Sequence, residues 1–140
     1  MLIPYTQDPI NCNSYLSIDE YKALTKEANK NKLDSLEDGK ETLLIQASKI
    51  IDNVYRWKGS KTHKEQNLEF PRDGKDLPIA IKIATVALID SILNDLDTKN
   101  IKSESISKLS VTYKDTVMID DSIKEILNTL RDFSIKVRYE

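Results

Sequence analysis

The sequence predicts a mainly α-helical subunit resembling a four-helix bundle, with a small β-hairpin and a C-terminal extended strand. Three observations lead to that class. Apolar residues recur at three- and four-residue spacing in four segments, and polar caps precede these segments. The spacing switches to strict alternation only between Ile101 and Lys114 and again after Arg131. The expected organisation is an N-terminal arm over 1–16, a helical domain over 17–132 with its hairpin at about 101–114, and a tail over 133–140.

A chain of 140 residues is long enough to bury a real core in one domain. Hydrophobic residues at 39% and charged residues at 31% argue against wholesale disorder. The net charge of -2 gives no global attraction to nucleic acid or to anionic membranes, so such a contact has to be local. Cys12 is the only cysteine, which excludes an intrachain disulfide, and His63 alone beside it leaves a structural zinc site without ligands. Met1-Leu2-Ile3-Pro4-Tyr5 lacks a basic region followed by an apolar core, so no signal peptide is expected. The most apolar segment, Leu77 to Leu96, is interrupted by Lys82, Asp90 and Asp95, which argues against a membrane span. A reducing cytoplasm is the expected place of folding.

Pro4 and Pro9 mark the first segment as an extended arm. Ser17 then caps a first helix at about 18–28, and Glu20 completes a capping box. Ile18, Tyr21, Leu24 and Ala28 share one face, and the polar run Asn29–Asp34 is expected to end the helix. Asp38-Gly39-Lys40-Glu41 opens a second helix at roughly 40–55, striped by Leu43, Ala47, Ile50, Ile51 and Val54. Asp76 and Pro78 stand where a cap and a first-turn proline belong for a third helix at about 78–96. Its isoleucines, leucines and alanines lie on more than one side, so it must be covered nearly all round. Two coverings fit: a central core helix within one chain, or packing against a neighbouring subunit through Ile81, Val86, Leu88 and Ile89. Asp120-Asp121-Ser122 caps a fourth helix at about 121–132. In the tail, Phe133, Ile135, Val137 and Tyr139 alternate with Ser134, Lys136, Arg138 and Glu140. A lone strand must pair with something, either its own hairpin or the sheet edge of a partner.

The second and third helices flank the stretch Tyr55–Gly74, which holds the only Trp and the only His. From Arg56 to Lys75 it carries six Lys/Arg against three Asp/Glu, the most basic part of the chain. It reads as an ordered loop pinned by Trp57, Gln66, Phe70, Pro71 and Arg72. Lys58, Lys61 and Lys64 have two readings, a solvated surface or a contact to a nucleic-acid backbone or ring neighbour by charge alone. Stacking of a base on Trp57 is the alternative to its burial. No nucleophile, Gly-rich phosphate loop or metal-ligand pattern is visible, and the paired carboxylates Asp19-Glu20 and Asp120-Asp121 sit at helix starts, where they complement the dipole. Neither catalysis nor a cofactor is expected.

Four stretches carry a family resemblance: Asn13-Ser14-Tyr15-Leu16-Ser17; Trp57-Lys58-Gly59; Gln66–Arg72 with Pro78–Lys82 following; and Ile101–Glu104 leading to Ser110–Tyr113. In order and spacing over about 13–131 the chain resembles the head–tail connector (adaptor) proteins of tailed bacteriophages, whose relatives include proteins labelled DnaT-like single-stranded-DNA-binding proteins. Phe70 stands where that family often has Trp, and the strand-like tail after Arg131 is not part of its pattern. The resemblance implies a virion protein made in the host cytoplasm. It forms a closed dodecameric ring beneath the portal, at the neck, that extends the DNA channel and meets a stopper or tail protein. Double-stranded DNA would pass through without sequence-specific contact. Docking on the portal would use Phe133, Ile135, Val137, Arg138 and Tyr139. The alternative is a replication-type protein that binds single-stranded DNA through Trp57 and the neighbouring lysines.

Overall fold

A computed structural model describes residues 1–36, 39–99 and 121–132, with only the backbone of 96–99. The expected hairpin at 101–114, the cap at Asp38 and the tail with Phe133, Ile135, Val137, Arg138 and Tyr139 lie outside the described residues. The chain is mainly helical: α1 (Ile18–Leu24), α2 (Glu27–Asp34), α3 (Gly39–Asp52), α4 (Ile79–Lys99) and α5 (Asp121–Leu127), the last running into a 3-10 turn at Asn128–Leu130.

The capping box of α1 is formed, with Glu20 N–H donating to Ser17 Oγ and Ser17 N–H to Glu20 Oε1, each at 3.1 Å. That helix stops earlier than its periodicity suggests. Thr25 is extended, and its hydroxyl donates to Asp90 on α4, where Tyr21 also donates. The polar run then forms α2 instead of ending a helix. Asn29 and Leu33, one turn apart, are buried, and Lys32 Nζ donates to Asn94 at 2.7 Å. Docking against α4 outweighs the low apolar content. Leu24 and Ala28 are therefore exposed and do not extend the stripe of Ile18 and Tyr21.

The first sixteen residues are not an extended arm. Cys12, Ser14, Tyr15 and Leu16 are fully buried, and Tyr15 N–H donates to the buried Ser48 Oγ of α3 at 3.0 Å.

Helix α4 is the core of this single chain. Each of α1, α2, α3 and α5 packs against it. Ile81, Leu88 and Ile89 are fully covered and Val86 is 8% exposed, so the four residues assigned to packing between subunits are buried within one subunit. Four helices converging on one axis supply the all-round cover that its composition demands. Among its described side chains, the large apolar ones that face outward are Ile79 (65% exposed) and Ile83 (46%), one turn apart. No described helix is long and apolar enough to cross a membrane.

Candidate nucleic-acid interface

The loop between α3 and α4 is built from the inside. Phe70 and Trp57 meet edge to face with ring centroids 5.1 Å apart, and both are almost fully covered. Trp57 Nε1–H donates to the Asp52 carbonyl at 3.0 Å, which ties the indole to the last turn of α3. Gln66, 3% exposed, has both amide donors and its carbonyl engaged: Nε2 donates to Leu68 O (2.8 Å) and Pro71 O (3.0 Å), and Oε1 accepts from His63 N–H (3.0 Å). Pro71 follows a cis peptide bond. Arg72 spreads its guanidinium over backbone, donating to Lys58 O (2.7 Å), Gly59 O (2.6 Å) and Glu69 O (3.2 Å), and it pairs with Glu69 Oε1 at 2.9 Å. Gly59 has φ +75, and an added Cβ would stand 1.9 Å from the Asp73 carboxylate, so this turn admits no side chain. That carboxylate accepts from Ser60 N–H at 3.0 Å and closes the turn.

Beyond the loop, Lys58 N–H donates to Leu130 O (3.1 Å) and Asp132 N–H to Arg56 O (2.8 Å), a short bridge to the segment after α5. Arg131 lies over the Tyr55 ring at 4.6 Å.

The carboxylate beneath this assembly lies outside the apolar stripe by which α3 is read. Asp52 Oδ1 accepts from the buried Tyr15 hydroxyl, Oδ2 accepts from Glu69 N–H at 3.2 Å, and Tyr15 Oη accepts from Phe70 N–H at 3.2 Å. Burial pushes the Asp52 carboxyl up to about 7 against the opposing hydrogen bond from Tyr15, and burial beside Asp52 raises the Tyr15 hydroxyl well above its ordinary value. One signal was available in the sequence. Leu44, Ser48 and Asp52 fall at four-residue intervals, which continues a buried helix face into polar residues. Asp52 also lines a cleft of about 400 Å³, together with Arg56, Trp57, Glu69, Arg72 and Asp132 among others.

The three candidate lysines do not form one cluster of like groups. Lys58 Nζ donates to Thr129 O at 3.2 Å, Lys61 is half-buried with Nζ donating to Gln66 O at 3.3 Å, and Lys64 is exposed. Arg56 and Lys75, not singled out from the sequence, are exposed on the same loop. The exposed charges of the loop are mixed, with Arg56, Lys58, Lys64 and Lys75 against Glu65, Asp73 and Asp76, which leaves a small cationic excess. No ring face is offered by Trp57, which is 6% exposed. Among the described residues no group of three or more His, Cys, Asp or Glu side chains is arranged to hold a metal ion.

A family model described as "Putative DnaT-like ssDNA binding protein" matches residues 5–138. The chain belongs to that family. No curated protein and no solved structure matches it. The match spans every described element of this DnaT-like chain from Tyr5 onward, including the buried start of the fold and the whole cationic loop.

Proposed function

We propose that the chain is a non-enzymatic protein that binds single-stranded DNA, holding phosphates on the cationic rim of the loop without stacking bases on Trp57. The family description supports DNA as the ligand. One observation carries the mode of binding: Arg56, Lys58, Lys64 and Lys75 are exposed on a loop whose aromatic residues Trp57 and Phe70 are turned inward. Phosphate contacts need only reachable cations on a fixed backbone, whereas stacking needs an open ring face. Binding of this kind ignores base sequence and weakens steeply with salt, because each neutralised phosphate releases a counterion.

The test is fluorescence anisotropy with a labelled oligothymidine at low and at physiological salt. Exchanging Lys58→Glu and Lys64→Glu together should lower affinity by about tenfold or more and flatten the salt dependence. Absence of measurable affinity at low salt removes the reading.

A second reading, a head–tail connector of a tailed phage, is favoured by the exposed Ile79 and Ile83 of α4, apolar surface for which a DNA-binding loop has no use. In that case the subunit joins copies of itself and a portal, and the cationic rim faces a DNA channel or an adjoining ring. Light scattering on the same samples separates the two. A DNA-binding monomer supports the first reading, and a ring that assembles with a portal supports the second.

A further inference from the structure

We propose that Asp52 is a proton-sensitive tether for the central loop, accepting two hydrogen bonds when ionised and losing one of them when protonated. The geometry is a chain of three groups. Glu69 N–H donates straight to Asp52 Oδ2, and Phe70 N–H donates to Tyr15 Oη, whose own proton goes to Asp52 Oδ1. Both carboxyl oxygens are thus used as acceptors, which suits a carboxylate. A proton added at Oδ2 meets Glu69 N–H head on. Added at Oδ1, it forces the Tyr15 hydroxyl to turn its own proton elsewhere. Protonation at Oδ2 thus takes the Glu69 bond from residues 69–70, next to Pro71 and the Arg72 anchor, whereas protonation at Oδ1 reverses the Tyr15–Asp52 bond to which Phe70 N–H is linked.

The surroundings set the balance. Facing Asp52 are Tyr15 and Cys12 from the N-terminal segment and Glu69 and Lys61 from the loop, while Arg56, Arg72 and Asp132 line the cleft on which it opens. Burial opposes the charge more strongly than the hydrogen bond from Tyr15 favours it, and the neighbouring Glu69 opposes it further while Lys61 favours it. The ionised tether is therefore the better-bonded state but a desolvated one, so the two forms exchange near neutrality. The cleft gives protons a path to the carboxyl. This inference holds whatever ligand the loop takes.

The experiment is a series of 1H–15N spectra of the full chain between about pH 5 and pH 9. It follows the Glu69 and Phe70 amides and the indole N–H of Trp57, the single tryptophan, which donates to the Asp52 carbonyl. The Glu69 amide should move with a midpoint near 7. Asp52→Asn should leave it flat. Tyr15→Phe should move the midpoint upward, because it removes a donor to the charged form. His63→Gln should leave the Glu69 midpoint unchanged, which separates Asp52 from the single histidine. A midpoint below about pH 5, a transition that survives Asp52→Asn, or one that vanishes with His63→Gln overturns the proposal. Should Asp52→Asn not fold, the 13C shift of the Asp52 carboxyl in the unaltered chain reads the same titration directly, and a midpoint below about pH 5 there overturns the proposal equally.

Discussion

At the scale of single residues, the central loop depends on side chains that replace secondary structure. Residues 53–78 contain no helix, yet Leu68 and Phe70 within them are buried, so the backbone around them needs partners. Gln66 supplies three of these at once, to His63 N–H and to the carbonyls of Leu68 and Pro71. Gln66→Ala would leave two buried carbonyls and an amide without that partner, which costs on the order of 1–3 kcal/mol. Gln66→Glu should be worse at neutral pH, because a carboxylate keeps the bond from His63 N–H but turns acceptor towards acceptor at the two carbonyls. Urea denaturation of the two variants checks both the loss and its order. Equal stability of all three chains would mean that the loop is held by its aromatics alone.

At the scale of elements, α4 decides the fold, and its two kinds of isoleucine and leucine should behave differently. Leu88 is fully covered by the surrounding helices, so Leu88→Ala removes packed atoms and leaves a cavity, for a loss of about 2–5 kcal/mol. Ile83, 46% exposed on the outer face, should tolerate Ala within about 1 kcal/mol in the isolated chain. Thermal or denaturant melts of the pair test this contrast, and comparable losses would show that the outer face is covered in solution. The helix itself was legible in the sequence, because apolar residues on several sides demand cover. Its covering was not, because periodicity says that a face is buried but not by which chain. The split between α1 and α2 was hidden for a similar reason: Thr25 leaves the helix to bond Asp90, a residue 65 positions away. The buried Tyr15 and Leu16 show the same limit, since Pro4 and Pro9 report local extension and not where the extended chain packs. The pinned loop was readable from Trp57, Gln66, Phe70 and Arg72. The carboxylate beneath it was not, because its role is fixed by a tyrosine 37 residues earlier.

At the scale of the whole molecule, the ionisable groups set a pH profile with two opposing sides. Glu20 bonds Lys82 and Ser17, and those partners hold its carboxyl below the ordinary value in spite of partial burial. A group lowered in this way contributes stability above its ordinary pKa, and the contribution is lost as pH falls through the folded value. Asp52 acts in the other direction. Its folded value of about 7 lies above the ordinary 3.8, so between those limits the folded chain keeps a proton that the unfolded chain has released. Stability therefore falls as pH rises through this window and levels off above it, a change of about 3 kcal/mol between roughly pH 5 and pH 8. Cys12, pushed up to about 11 by burial, extends the same trend into alkaline solution. The fold should be most stable in weak acid, although its tether is best bonded at higher pH. The two statements agree because protonation relieves a desolvated charge and gives up one of the two hydrogen bonds that the carboxylate accepts. Denaturation midpoints measured across this range should decline towards neutrality in the unaltered chain and stay level in Asp52→Asn. A profile that rises from weak acid to neutral pH would place the charge of Asp52 in contact with water and remove the basis for its raised value.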